Sequence, residues 1–94
     1  MPKALVVDDS RAIRGIIGKI LADCGFEVLQ AANGQLGAEV LESDTGVHLL
    51  VADWNMPVMN GLELVKRVRG DARFRELRIV MVTPPEPPTI VVLV

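Results

Sequence analysis

Three aspartates carry the chemistry that this sequence offers. Asp8 and Asp9 follow the apolar run Lys3-Ala4-Leu5-Val6-Val7, and Asp53 follows Val47-His48-Leu49-Leu50-Val51-Ala52. Each acid therefore stands just past a stretch that reads as a strand; the one before Asp53 reads as buried on both faces, and such strands belong to parallel sheets covered by helices. In open α/β sheets ligands collect outside the carboxyl ends of the strands. Hard oxygen ligands gathered there suit Mg²⁺, which prefers octahedral coordination and binds carboxylates together with phosphate oxygens. A carboxylate can also attack phosphorus, so Asp53 is a candidate for an aspartyl-phosphate, formed where charge neutralisation and alignment supply the catalysis. Taken singly, Asp53 is a turn acid and Asp8 and Asp9 are helix-capping acids. Together, acids from two separate segments argue for a site.

The elements that must position these acids follow from the pattern of apolar residues. Ser10 is a helix N-cap, followed by Ile13, Ile16, Ile17, Ile20 and Leu21 at helical spacing along one face, with Gly25 as the stop. Phe26 to Ala31 reads as a second strand closed by Asn33-Gly34. Leu36, Val40 and Leu41 mark a shorter helix that breaks at Ser43-Asp44-Thr45-Gly46. After Gly61, Leu62, Val65 and Val68 face one way and Lys66, Arg67 and Arg69 the other, with Gly70 as the stop. Arg78 to Val82 is a fourth strand ending at Thr83. This alternation predicts an α/β fold with a parallel sheet in the order 2-1-3-4, flanked by helices, in which the first and third strands are neighbours and their acids converge.

Totals narrow the function classes. The chain has 94 residues, ten basic and twelve acidic, a formal charge of −2, and half its residues are hydrophobic. That predicts one small domain with a packed core and no general attraction to nucleic acid or an anionic membrane, so any role on DNA belongs to a partner. A single cysteine, Cys24, no signal-like amino end and no run of roughly 18 apolar residues point to a reducing cytoplasm and no membrane span. His48 reads as a surface residue at a strand edge and Cys24 as a small apolar filler near a helix end. Lys66, Arg67, Arg69, Arg73, Arg75 and Arg78, with acids interleaved, read as a solvated face.

Three blocks, Val6-Val7-Asp8-Asp9-Ser10, Asp53-Trp54-Asn55-Met56-Pro57-Val58-Met59-Asn60-Gly61 and Val80-Met81-Val82-Thr83, occur in order at the ends of the expected strands. They resemble the signature of response-regulator receiver domains, above all the chemotaxis-type single-domain receivers. The resemblance covers residues 1 to 83. It implies a flavodoxin-like signalling domain, not an enzyme, that takes a phosphoryl group from a sensor histidine kinase and passes the signal to a downstream protein. By position, Asp53 resembles the phospho-acceptor, Asp8 and Asp9 the Mg²⁺-holding pair, Asn55 the residue that gives the metal a backbone carbonyl, and Thr83 the switch hydroxyl. Receivers also carry a fifth strand ending in a Lys-Pro pair and containing an aromatic switch residue. This chain has no lysine after Lys66 and no aromatic after Phe74, which reads as a receiver truncated or altered beyond its fourth strand. The alternative function is then an altered receiver, not phosphorylated, that serves as a strand-exchanged dimerisation scaffold. A phosphatase of the aspartate type would need a second acid where Asp53-Trp54-Asn55 has none.

Residues 84 to 94 form a proline-rich linker and a β-prone tail, Pro84-Pro85-Glu86-Pro87-Pro88 and then Thr89 to Val94. A parallel crossover needs a dozen or more residues, and six separate Val82 from Thr89. The tail must lie antiparallel beside its own sheet, pair with another molecule or hang free. The expectation is a homodimer in which residues 84 to 94 are exchanged or run side by side.

Overall fold

A computed structural model of the protein describes residues 1–53, 59–83 and 89–93. The run at the amino end forms β1 (Lys3–Val7), whose Ala4, Leu5, Val6 and Val7 are all fully buried, as an uninterrupted apolar strand requires when both of its faces are covered. Around it lie α1 (Arg11–Asp23), β2 (Glu27–Ala31), α2 (Gly34–Ser43), β3 (Val47–Asp53), α3 (Gly61–Arg69), β4 (Arg78–Thr83) and β5 (Thr89–Leu93). The sheet runs in the order β2-β1-β3-β4-β5, with the first four strands parallel. The chain winds from β1 to β2 on one side and then crosses back to β3 on the other. The reversal point therefore falls between β1 and β3, where such sheets hold their ligands.

The helices cover the two faces unequally. A side chain at Gly37 of α2 would meet Val7, whereas one at Gly18 of α1 would meet Val28 and Gln30, residues of the opposite face. On the α2 and α3 face, Leu5, Val7, Leu50, Ala52, Ile79 and Met81 pack with Leu41, Leu64, Val65 and Val68 into the main core. On the other face α1 lies over β1 and β2.

Caps place the helices as the sequence indicates. Ser10 Oγ accepts from the Ile13 N–H at 3.2 Å, and Asn33 Oδ1 accepts from the Leu36 N–H at 2.8 Å. Gly25 takes φ 97°, a left-handed turn that ends α1. Asn60 and Glu63 form a capping box on α3, a reciprocal pair that the sequence carries but that its apolar pattern does not reveal.

Several expectations need correction. Leu62 is exposed, and the buried stripe of α3 is Gly61, Leu64, Val65 and Val68, the i, i+3, i+4, i+7 pattern of a single helix face, which leaves position 62 outside it. Cys24 is exposed rather than packed. The apolar stripe of α1 is split: Gly18 is buried while Ile13, Ile16 and Ile20 are exposed. A single 3-10 turn at Ala72–Phe74, capped by Asp71, was not anticipated, and it buries Phe74. Arg69 and Arg73 are more than solvated charge. Arg69 donates to the carbonyls of Phe74 and Leu77 at 3.0 and 2.7 Å, and Arg73 bridges Asp71 and Glu42.

The tail takes one of the placements that the sequence left open. Thr89–Leu93 pairs antiparallel with β4 of its own chain, from Thr83↔Thr89 to Ile79↔Leu93. The free edge of β4 is the nearest unpaired backbone, and five intervening residues suffice for an antiparallel return although they cannot make a parallel crossover.

Candidate functional site

The register of the sheet brings the acids together. Val7 of β1 pairs with Ala52 of β3, so the next residues, Asp8 and Asp53, leave the sheet side by side at the same level. Asp9 extends the turn. Carboxylate oxygens of Asp8, Asp9 and Asp53 all lie within 4.8 Å of one another, a spacing over which one cation can be shared. Asp8 is only 6% exposed, Asp53 half-buried and Asp9 exposed, so the cluster is walled on one side and open on the other.

Asp8 is held from several directions. Its N–H donates to the Ala31 carbonyl at 3.1 Å, prolonging the β1–β2 ladder, and its Oδ1 accepts from the Ser10 N–H at 2.8 Å. Burial pushes the Asp8 carboxyl above the usual range, the Ser10 N–H opposes that, and the Asp9 carboxylate beside it adds to the rise. A buried carboxylate whose proton affinity is raised by burial and by a neighbouring anion gains most from a cation. The donor set also consists of hard oxygens that suit Mg²⁺. These residues fit such an ion.

Arg14 is the residue that sequence reasoning missed. Its Nη1 donates to the Asp8 carbonyl oxygen at 2.7 Å and its Nε to Gln30 Oε1 at 3.3 Å, fixing α1 to the turn that carries the acids. A signal was present: α1 has no acid in its first turn and begins with Arg11 and Arg14, cations where the helix dipole disfavours them, so something else must hold them there. Gly34, the first residue of α2, is also part of the support. A side chain there would collide with the backbone oxygen of Met59 and come within 2.8 Å of its Cβ, so the segment leading into α3 rests on bare backbone.

Of the other expected site residues, Thr83 closes β4, one position beyond Val82, the register partner of Asp53. Asn55 lies outside the described residues, as does Trp54. His48 is exposed at an irregularity of the β1–β3 pairing, where its Nδ1 accepts from the Lys3 N–H at 3.3 Å, well away from the acids at the opposite end of the strands. No helix among the described residues is long and apolar enough to cross a membrane.

Comparison with known proteins agrees with this geometry. Residues 4–92 match the family model described as the response regulator receiver domain. The chemotaxis protein CheY1 of Helicobacter pylori is 50% identical over 82 residues, 86% of this chain and 66% of that protein. A CheY homolog of Campylobacter jejuni is 46% identical over 82 residues, 63% of its length, so this chain spans a little under two thirds of these relatives. Among solved structures, the CheY4 chemotaxis protein of Vibrio cholerae superposes with a TM-score of 0.80 at 38% identity, covering 86% of this chain and 67% of that one. The response regulator TrrA of Thermotoga maritima, solved in complex with Mg²⁺ and BeF, gives 0.81 at 30% identity over 88% of this chain and 70% of that one.

Proposed function

Since the chain belongs to the response regulator receiver domain family, we propose that it accepts a phosphoryl group on Asp53 from a phosphohistidine of a sensor histidine kinase. The observation that supports this most is the convergence of Asp8, Asp9 and Asp53 at the sheet's reversal point. Asp8, Asp9 and Asp53 would hold Mg²⁺, with the backbone carbonyl of Asn55 as a further ligand. Such an ion would supply positive charge against the phosphoryl oxygens.

The chain's own residues do the rest. An Asp53 carboxylate oxygen forms the new bond to phosphorus as the bond from phosphorus to the kinase imidazole nitrogen breaks, and the imidazole keeps the electron pair and takes up a proton. Burial of Asp8 against the helix-capping turn fixes the acidic pair so that little reorganisation accompanies the transfer. The Thr83 hydroxyl, at the end of the neighbouring strand, donates to a phosphoryl oxygen and signals the change.

We read the domain as a signalling module in the cytoplasm that turns over no substrate of its own. It acts on a downstream protein and not directly on nucleic acid or membrane, in keeping with a charge of −2. A second copy of the chain is a further partner through residues 84–94. β5 is an edge strand, with β4 as its one neighbour among the described residues, and open edges recruit strands.

Beryllofluoride with Mg²⁺, followed through the fluorescence of Trp54 next to Asp53 in the chain, tests the phosphoryl reading. A saturable change that Asp53→Asn abolishes is expected. A folded protein that gives no response would overturn it.

A further inference from the structure

One peptide bond joins two of the three acids. The Asp8 carbonyl belongs to the bond that links Asp8 to Asp9, and it is the oxygen that Arg14 holds, with Nη1 at 2.7 Å. Because a peptide is planar, fixing that carbonyl restricts ψ of Asp8 and φ of Asp9, the two rotations that turn one side chain relative to the other. The flanking groups are fixed too. The Asp8 N–H is tied to the Ala31 carbonyl at 3.1 Å, and Asp8 Oδ1 accepts from the Ser10 N–H at 2.8 Å. Arg14 is held in turn. It is half-buried, its Nε donates to Gln30 Oε1 on β2 at 3.3 Å, and its backbone N–H donates to the Ser10 carbonyl at 3.0 Å as α1 begins. A guanidinium engaged through two of its nitrogens presents a planar fork of set direction, which an ammonium on a flexible stem does not.

We infer that Arg14 is a positioning residue of the acidic cluster: it sets the angle between the Asp8 and Asp9 carboxylates and thereby makes the cluster select Mg²⁺ over Ca²⁺. The inference rests on the reading of that cluster as a Mg²⁺ site. The charge of Arg14 cannot give such a preference, since a fixed cation repels any divalent ion, small or large, alike. Geometry separates the two ions. Mg²⁺ demands near-ideal octahedral positions at about 2.0–2.1 Å, whereas Ca²⁺ accepts a more variable set of oxygens at about 2.3–2.6 Å. Acids held at fixed angles favour the first, and acids free to turn favour the second. A mere tie between α1 and the sheet would weaken the fold when lost and leave the ratio of the two affinities as it was.

Arg14→Lys tests this, because lysine keeps the charge and loses the planar fork. The whole chain is titrated calorimetrically with MgCl₂ and, separately, with CaCl₂, and its melting in chelator reports that it is folded. Wild type is expected to bind Mg²⁺ the more tightly. In Arg14→Lys the Mg²⁺ affinity should fall by about tenfold, the low end for loss of a group that orients a metal ligand, and the Ca²⁺ affinity by less, so the ratio moves towards Ca²⁺. Arg11→Gln removes a cation from an exposed position in the same helical turn and should leave the ratio unchanged. Should Arg14→Lys not fold, Gln30→Met, which frees the Nε edge of the guanidinium from an exposed position, is read in the same way and should move the ratio in the same direction. Equal losses for both ions, no loss, a wild type that favours Ca²⁺, or the same shift in Arg11→Gln would overturn the inference while leaving the cluster a metal site. A folded wild type that binds neither ion would overturn both.

Discussion

Replacing Asp8 by asparagine removes one charge from a trio of carboxylates without removing a hydrogen bond, since the amide oxygen still accepts from the Ser10 N–H now 2.8 Å from Oδ1. Two unit charges at the 4.8 Å limit of this cluster repel by about 1 kcal/mol at the dielectric of water and about 3 kcal/mol at an effective value near 20. Asp8 faces two such neighbours. Asp9 is exposed and sits at the low end, Asp53 is half-buried, and Arg14 offsets part of the repulsion. Relief of roughly 2 kcal/mol is a reasonable net figure, since side chains relax and salt screens the exposed pair. For a domain of this size each kcal/mol moves Tm by about 4–8 °C, so Asp8→Asn in chelator should melt some 8–16 °C above the wild type. With Mg²⁺ the order narrows or reverses. At a hundred times its dissociation constant a ligand stabilises by about 2.7 kcal/mol, and the variant, one ligand short, loses most of that. Calorimetry or thermal circular dichroism with and without Mg²⁺ gives all four values. A variant no more stable than wild type in chelator, or one that keeps the full Mg²⁺ shift, would refute the claim that these oxygens form one charged, cation-binding cluster.

Further outcomes follow from the packing. Gly34→Ala forces Met59 aside and should cost about 1–3 kcal/mol, seen as a lower urea midpoint, together with weaker Mg²⁺ binding; an unchanged midpoint would show that the contact yields freely. Leu64, fully buried on α3, should lose about 2–5 kcal/mol as alanine in the same assay. Arg69→Ala removes the guanidinium donor from the Leu77 carbonyl and one of the two donors to the Phe74 carbonyl, which keeps the Leu77 N–H, and should cost about 1–3 kcal/mol, seen in the urea midpoint, whereas Arg67→Ala, exposed on the same helix, should not. The Lys3 ammonium, 2.7 Å from Asp44, holds that carboxyl below its usual range and is itself raised. A depressed acid stabilises the fold above its unfolded value and loses that contribution as pH falls through its folded value. The raised lysine does so below its unfolded value, with loss only as pH climbs past its folded one. Asp44→Asn should therefore flatten the acid limb of the stability profile and leave the neutral region nearly level. An unchanged acid limb would count against the pair.

The four parallel strands and the meeting of Asp8 with Asp53 were legible because both depend on patterns that the sequence displays directly: uninterrupted apolar runs and the acids that end them. Sheet order followed from helix-bearing crossovers, and once β1 and β3 are neighbours their final residues have little freedom. What was hidden depended on tertiary placement. Whether Ile16 and Ile20 are core or surface is decided by how far α1 reaches across the sheet, and helical spacing cannot report that. Arg69 and Arg73 looked like solvent-facing charge because their partners are carbonyls and acids brought near by the 3-10 turn at Ala72–Phe74. Which of its open placements the tail takes was not legible either, because its prolines argue only for a stiff arm. The unpaired edge of β4 one short return away offered a full set of backbone hydrogen bonds.

The most direct test of the account is intact mass after incubation with a small phosphodonor and Mg²⁺. The expected product is heavier by one phosphoryl group, with the adduct mapped to Asp53 and lost both in chelator and in Asp53→Asn. A folded chain that gains no mass, or an Asp53→Asn variant that gains as much as the wild type, would contradict it.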